Sequence, residues 1–180
     1  MRLFVAIALP DAARDRLERL QSDLGVGRLV PPENMHVTLA FLDQQELPVA
    51  EALHDRLSDI DLPAFDMRIS GVDVFDRRAP RLVFAGIERD APLVALRDKV
   101  RVAAHDAGIE LRRERFRPHV TLARFRRMMQ AQERDRLGSF LEAHGDFALP
   151  PFRVGCFGLY RSTLGHDGPI YDLLGGYPMQ

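Results

Sequence analysis

The pentapeptide His-Val-Thr-Leu-Ala occurs twice in this chain, at residues 36–40 and 119–123, and it restricts the fold more than any other feature. In extended backbone, successive side chains point to opposite faces. Each copy therefore reads as a strand with His and Thr on one face and Val and Leu on the other. One face is free for chemistry while the other packs.

The flanking segments repeat as well. Residues 2–9 read as a buried strand, Pro10 and Asp11 as a helix start, and residues 12–24 as an amphipathic helix with Leu17, Leu20 and Leu24 in register. The strand with His36 follows. Residues 81–87 read as another strand, Ala91 and Pro92 open a helix, and Leu93, Leu96, Val100 and Ala104 form its apolar stripe until Gly108 stops it. The strand with His119 follows. Helical segments at 49–60 and 130–144, then strand-like runs at 65–75 and 152–160, succeed the two copies. The order strand, helix, strand, helix, strand thus occurs twice. It predicts an α+β fold of duplicated strand–helix units forming one bilobal domain over residues 1–180.

At 180 residues and 46% hydrophobic content, such a chain can bury a sizeable core without disulfides or metal. A net charge of -1 argues against a basic coat for nucleic acid, so any RNA contact should be local to a site. Cys156 is the only cysteine, which excludes an internal disulfide and a Cys-pair zinc site and suits a reducing compartment. No apolar run reaches membrane-spanning length, and residues 3–9 are too short for a signal peptide. A cytoplasmic monomer with no membrane partner is expected.

Two imidazoles facing one reacting phosphorus can divide the work of phosphodiester hydrolysis. Each titrates near pH 6.5, so one can be neutral and accept a proton from water while the other is charged and donates one to the leaving oxygen. Thr38 and Thr121, beside His36 and His119, are placed to donate hydrogen bonds to non-bridging phosphate oxygens. A lone His on a strand is more often structural, but a matched pair favours catalysis. Neither copy supplies a second metal ligand of the His-Glu-x-x-His or Cys-x-x-Cys kind, and only the first has carboxylates nearby, at Glu33 and Asp43. Neither a metal nor an organic cofactor is expected. His54, His105, His144 and His166 fall in helical segments or a Gly-rich turn and are assigned no chemistry.

The paired His-x-Thr-x signatures, with Phe41 five positions after the first His and Arg124 five after the second, resemble the two-histidine phosphoesterase superfamily. Within it the chain is most similar to the RNA 2′,3′-cyclic phosphodiesterases, historically called 2′-5′ RNA ligases. Residues 2–10, 30–42, 117–124 and 159–178 carry the resemblance, the last running from Leu-Tyr-Arg-Ser-Thr-Leu through Gly168, Pro169, Ile170 and Tyr171 to Tyr177 and Pro178. The resemblance implies two antiparallel sheets facing a central groove, with helices outside and the histidines facing across the groove. It also implies an RNA or oligonucleotide substrate ending in a 2′,3′-cyclic phosphate. The 3′ oxygen would leave to give a 2′-phosphate, with His36 as acid and His119 as base.

Several residues have two readings. Phe41 is either core packing or, as the resemblance suggests, an aromatic platform near a nucleobase. Strict alternation from His119 turns Arg124 away from the histidine face, whereas the phosphate contact that the resemblance favours requires a twist, a bulge or a strand end. Arg112, Arg113, Arg115, Arg117, Arg126 and Arg127 read mainly as a solvated face, given Glu110 and Glu114 among them, with tracking of an RNA backbone as the alternative. Pro118 suits a strand start. In the tail, Tyr160, Ser162 and Tyr171 are candidates to line the groove, Ser162 as a substrate contact, while Gly165, Gly168, Gly175 and Gly176 mark turns. The competing functions are phosphodiesterase action on another small cyclic or 2′-5′-linked nucleotide, and a non-catalytic module that binds RNA phosphate ends.

Overall fold

Five consecutive residues, Leu3 to Ile7, are buried, the pattern of a strand covered on both faces. In the computed structural model, which covers residues 1–180, this strand is β1 (Arg2–Ala8). It lies between β3 (His36–Gln44) and β9 (Cys156–Gly165), and β10 (Gly168–Pro178) completes an antiparallel sheet in the order β10-β9-β1-β3. A second antiparallel sheet has the order β2-β7-β6-β5, from β2 (Arg28–Leu29), β5 (Ile69–Val74), β6 (Leu82–Ile87) and β7 (His119–Arg124). A separate two-stranded ribbon pairs β4 (Phe65–Met67) with β8 (Phe152–Val154).

The four helices are α1 (Asp11–Ser22), α2 (Leu47–Ser58), α3 (Ala91–Asp106) and α4 (Ala131–His144). The apolar stripe of α3 is wholly buried at Leu93, Leu96, Val100 and Ala104, and the chain leaves the helix through Gly108 in a left-handed conformation, φ +85°. Gln130 and Glu133 form a capping box that fixes the start of α4. Helices α2 and α3 pack on each other and on the first sheet, against β10 and β3, whereas α1 and α4 pack on the second, against β7 and β5. Both sheets share one continuous apolar core. No helix is long and apolar enough to cross a membrane.

The duplicated order is present, but each unit's last strand-like run is broken. Residues 65–75 and 152–160 each divide, at Arg68 and at Gly155, into a short ribbon strand followed by a strand of a main sheet. That second piece joins the sheet of the other unit: β5 pairs with β6, and β9 pairs with β1. Each sheet is therefore completed by a strand from the opposite half of the chain.

The tail departs from the expectation of turns. Gly165 and Gly168 do flank the β9–β10 turn, but Gly175 and Gly176 lie inside β10, where the register slips between Leu173 and Gly175. At Gly175 a Cβ atom would meet the Tyr177 hydroxyl at 2.9 Å and His54 Nδ1 at 3.0 Å, so close side-chain packing accounts for the glycine.

Candidate active site

The two sheets approach each other along β3 and β7, the strands that carry the repeated pentapeptide. Alternation holds for the first three residues of each copy. His36 and Thr38 are half-buried on the groove face and Val37 points into the core, and His119, Thr121 and Val120 behave in the same way. It then breaks, because Leu39 and Ala40, like Leu122 and Ala123, are buried in succession. The pairing shows why. Ala6 lies opposite Thr38 and Val5 opposite Ala40, which leaves Leu39 as an extra residue; Phe84 lies opposite Thr121 and Val83 opposite Ala123, which leaves Leu122 extra. Each bulge reverses the parity of the strand beyond it. Phe41 and Arg124, five positions after their histidines, therefore return to the groove face. Strict alternation does not apply to Arg124, and Phe41 is not core: it is 67% exposed.

The imidazoles are held by the same device. His36 Nδ1 donates to the Asn34 carbonyl at 2.7 Å, and His119 Nδ1 donates to the Arg117 carbonyl at 2.8 Å. A carbonyl can only accept, so the proton is on Nδ1 in each neutral ring and Nε2 is left with its lone pair. Burial is the main influence pushing both imidazoles below the usual 6.5, and the carbonyl contact opposes it in each case. Positive charge on His119 and Arg124 lowers His36 further, while Arg124 and Arg117 do the same to His119. Arg124 thus acts on both histidines, and His36 also senses His119. The hydroxyls of Thr38 and Thr121 have no hydrogen-bond partner within the protein, yet neither is a buried unsatisfied group. They remain available to a ligand.

Aromatic side chains line both halves of the site. His36 packs on Phe4 (4.9 Å between centroids) and meets Tyr171 edge-on (5.4 Å), and Phe4 is stacked with Tyr160 at 5.3 Å and lies 6.3 Å from Phe41. Tyr160 has its phenol pushed up by burial. His119 meets Phe75 edge-on (4.9 Å) and Phe84 at 5.3 Å. Tyr171 reaches His36 because the β9–β10 hairpin is anchored at its tip: Arg28 donates to the Asp167 carbonyl and Asn34 Nδ2 donates to the Pro169 carbonyl at 2.9 Å. Ser162 is on the same sheet face, half-buried between Arg2 and Tyr171 in register.

The remaining candidates are placed as follows. Pro118 directly precedes β7, as a strand-start residue should. Arg112, Arg113, Arg115, Arg126 and Arg127 are exposed. His54 bonds the Tyr177 hydroxyl and His144 pairs with Asp23, both elsewhere in the fold. No three His, Cys, Asp or Glu side chains converge in a way that could hold a metal ion. Sequence reasoning missed Phe4, Phe75 and Phe84 as neighbours of the histidines, and Asn34 and Arg117 as their carbonyl partners. The last two had a signal: each stands two residues before its histidine.

Known proteins are similar to this chain in sequence and fold. The family model described as the 2'-5' RNA ligase superfamily matches residues 9–163. An RNA 2',3'-cyclic phosphodiesterase of Aeropyrum pernix is 33% identical over 165 residues, covering 88% of this chain and 92% of its own. Among solved structures, E. coli LigT complexed with 3'-AMP superposes with a TM-score of 0.81 at 25% identity, covering 99% of this chain and 97% of its own. The protein TT0787 of Thermus thermophilus gives 0.77 at 28% identity over 99% and 97%. The paired histidine strands, the bilobal sheets and a match of this extent place the chain in the 2'-5' RNA ligase superfamily, among the two-histidine phosphoesterases.

Proposed function

We propose that the protein is a phosphoric diester hydrolase that opens the terminal 2′,3′-cyclic phosphate of RNA to a 2′-phosphate. The carrying observation is the matched pair of Nδ1–carbonyl hydrogen bonds, which leaves two Nε2 atoms free on one groove. Family membership and the names of the relatives support the same reading. In the proposed reaction, His119 Nε2 takes a proton from water as the water oxygen attacks phosphorus. The bond from phosphorus to the 3′ oxygen breaks in line, and that oxygen takes a proton from His36 Nε2. The hydroxyls of Thr38 and Thr121 and the guanidinium of Arg124 hold the non-bridging oxygens, where charge gathers. Phe41, exposed beside Phe4, offers a face to the terminal base, and Ser162 offers a hydroxyl further along the sheet.

On this reading the partner is an RNA or oligonucleotide end, bound in the cytoplasm by a monomer in which residues 1–180 work as one bilobal domain. The shared core and the exchanged strands support that unity. The test is incubation of a cyclic-phosphate-ended oligonucleotide with enzyme in EDTA. Turnover should persist, and the product should resist a phosphatase specific for 3′-phosphates. Loss of turnover restored by a divalent ion would overturn the two-imidazole mechanism, and ready removal of the phosphate would reverse the binding direction.

A further inference from the structure

The two pentapeptides are identical, but the residues two positions ahead of their histidines are not. Asn34 and Arg117 use their carbonyls in the same way, each accepting from Nδ1, while their side chains diverge. Asn34 is neutral and reaches the hairpin tip at Pro169. The guanidinium of Arg117 lies over Phe75 at 4.9 Å and 6.0 Å from the centroid of Phe84. Those two rings stack on each other at 4.4 Å, and both pack against His119, at 4.9 and 5.3 Å. An exposed arginine ordinarily swings freely; two aromatic faces restrain this one beside a single histidine. His36 has Phe4 and Tyr171 in that place, with no guanidinium held over either ring.

We propose that Arg117 is a positioning residue that biases His119 towards its neutral, proton-accepting form and so makes two chemically alike motifs unequal. The proposal rests on the reading of His119 as catalytic base. The charged and titratable groups around His119 are few. Arg124 lies on its own strand, His36 on β3 and Arg117 on the segment ahead of β7. On β5, Asp73 has its carboxylate occupied by the Val74 amide at 2.8 Å and by Arg77 at 3.7 Å. When an anionic phosphodiester enters, it draws a proton onto one imidazole. Arg124 opposes that at both rings, but Arg117 opposes it only at His119, which biases the proton towards His36 against the burial that disfavours it on either ring.

Two steps of 4.9 Å through Phe75 keep the guanidinium within about 10 Å of the imidazole. At that separation, with an effective dielectric between 20 and 80, one charge is worth roughly 0.3 to 1 pH unit. The experiment is an NMR titration of the His119 ring in the wild type, Arg117→Gln and Arg117→Lys, together with the pH profile of kcat/KM on a cyclic-phosphate-ended oligonucleotide. Arg117→Gln should raise the His119 midpoint by that amount and move the acid limb of the profile equally to higher pH. Arg117→Lys, which keeps the charge, should restore both. An unmoved midpoint in Arg117→Gln, or a lysine variant displaced as far as the glutamine one, overturns the proposal. The midpoint is read without turnover, so this failure is distinct from that of the catalytic reading, which full turnover in His119→Ala would signal.

Discussion

Gln21 is the one polar side chain buried in the core, and replacing it by Glu should produce a pH-dependent loss of stability. Its amide Nε2 donates to the carbonyls of Val30 at 2.8 Å and Leu122 at 2.7 Å, tying α1 to the bulge that aims Arg124 into the groove. A carboxylate has no proton to give and would face two carbonyl oxygens, so Gln21→Glu must fold with its acid protonated. That raises the folded pKa above the unfolded value of about 4.3, and stability is then retained below pH 4.3 and lost as pH rises towards the folded pKa. If the group stays protonated throughout, the deficit from proton uptake is about 1 kcal/mol at pH 5 and about 5 kcal/mol at pH 8. One missing hydrogen bond adds roughly 1 kcal/mol at either pH. Gln21→Met also lacks the donors but carries no charge. The Leu122 carbonyl still accepts from the Val30 amide at 2.9 Å, so its deficit should be about 1–2 kcal/mol at both pH values. Urea denaturation followed by circular dichroism, referenced to wild type at each pH, reads these differences. A Glu deficit that is the same at pH 5 and pH 8, or no larger at pH 8 than that of Met, would show that the side chain does not face those carbonyls in solution.

Single substitutions His36→Ala and His119→Ala should each lower turnover by roughly a hundredfold to ten-thousandfold, with the double variant little worse than the worse single; near-normal rates in either would return that residue to a structural role. Thr38→Ala and Thr121→Ala should cost less, on the order of tenfold to a thousandfold, and a larger loss than the histidine variants would contradict their part as single donors. Because Phe41 is largely exposed, Phe41→Ala should leave stability within about 0.5 kcal/mol while raising KM for oligonucleotides; a marked loss of thermal stability would instead reinstate core packing. Burial holds the folded pKa of His36 below 6.5, so this group contributes stability above pH 6.5 that is lost as pH falls below it. Acid titration of His36→Ala should therefore be shallower than that of wild type, and an equal slope would contradict that depression.

Local periodicity carried most of what could be foreseen. The stripe of α3 and its stop at Gly108 were legible because helix packing and capping are written within a few residues. The His-x-Thr faces were legible for the same reason. The break at Arg68 was not, because Phe65 to Phe75 carries apolar residues on both sides of it and nothing local says that the halves pair with different strands. Strand β10 was hidden by Gly175 and Gly176; the role of Gly175 depends on Tyr177 and His54, the latter distant in sequence. The bulges did leave a trace, since Leu and Ala after Thr are two apolar residues in succession where alternation requires one. At the site, the common groove face of His36, Thr38, His119 and Thr121 was legible. The rings that touch the histidines come from β1, β6, β10 and the end of β5, and only sheet pairing brings those together.

Strand exchange between the halves has a consequence for how such a chain is made. Arg2 pairs with Ser162, so β1 leaves the ribosome well before β9, the strand that covers its second edge. Until then the apolar run Leu3 to Ala8 is exposed to wrong partners, and the long loop that closes the sheet makes the step slow. The same topology would let two copies of a half-length polypeptide build the equivalent three-stranded parts, β9-β1-β3 and β5-β6-β7, by lending each other a strand, as a domain-swapped pair with two equal histidines. Joining the halves into one polypeptide releases that symmetry: positions 34 and 117, or 41 and 124, can then diverge, and the surroundings of the two histidines become unequal.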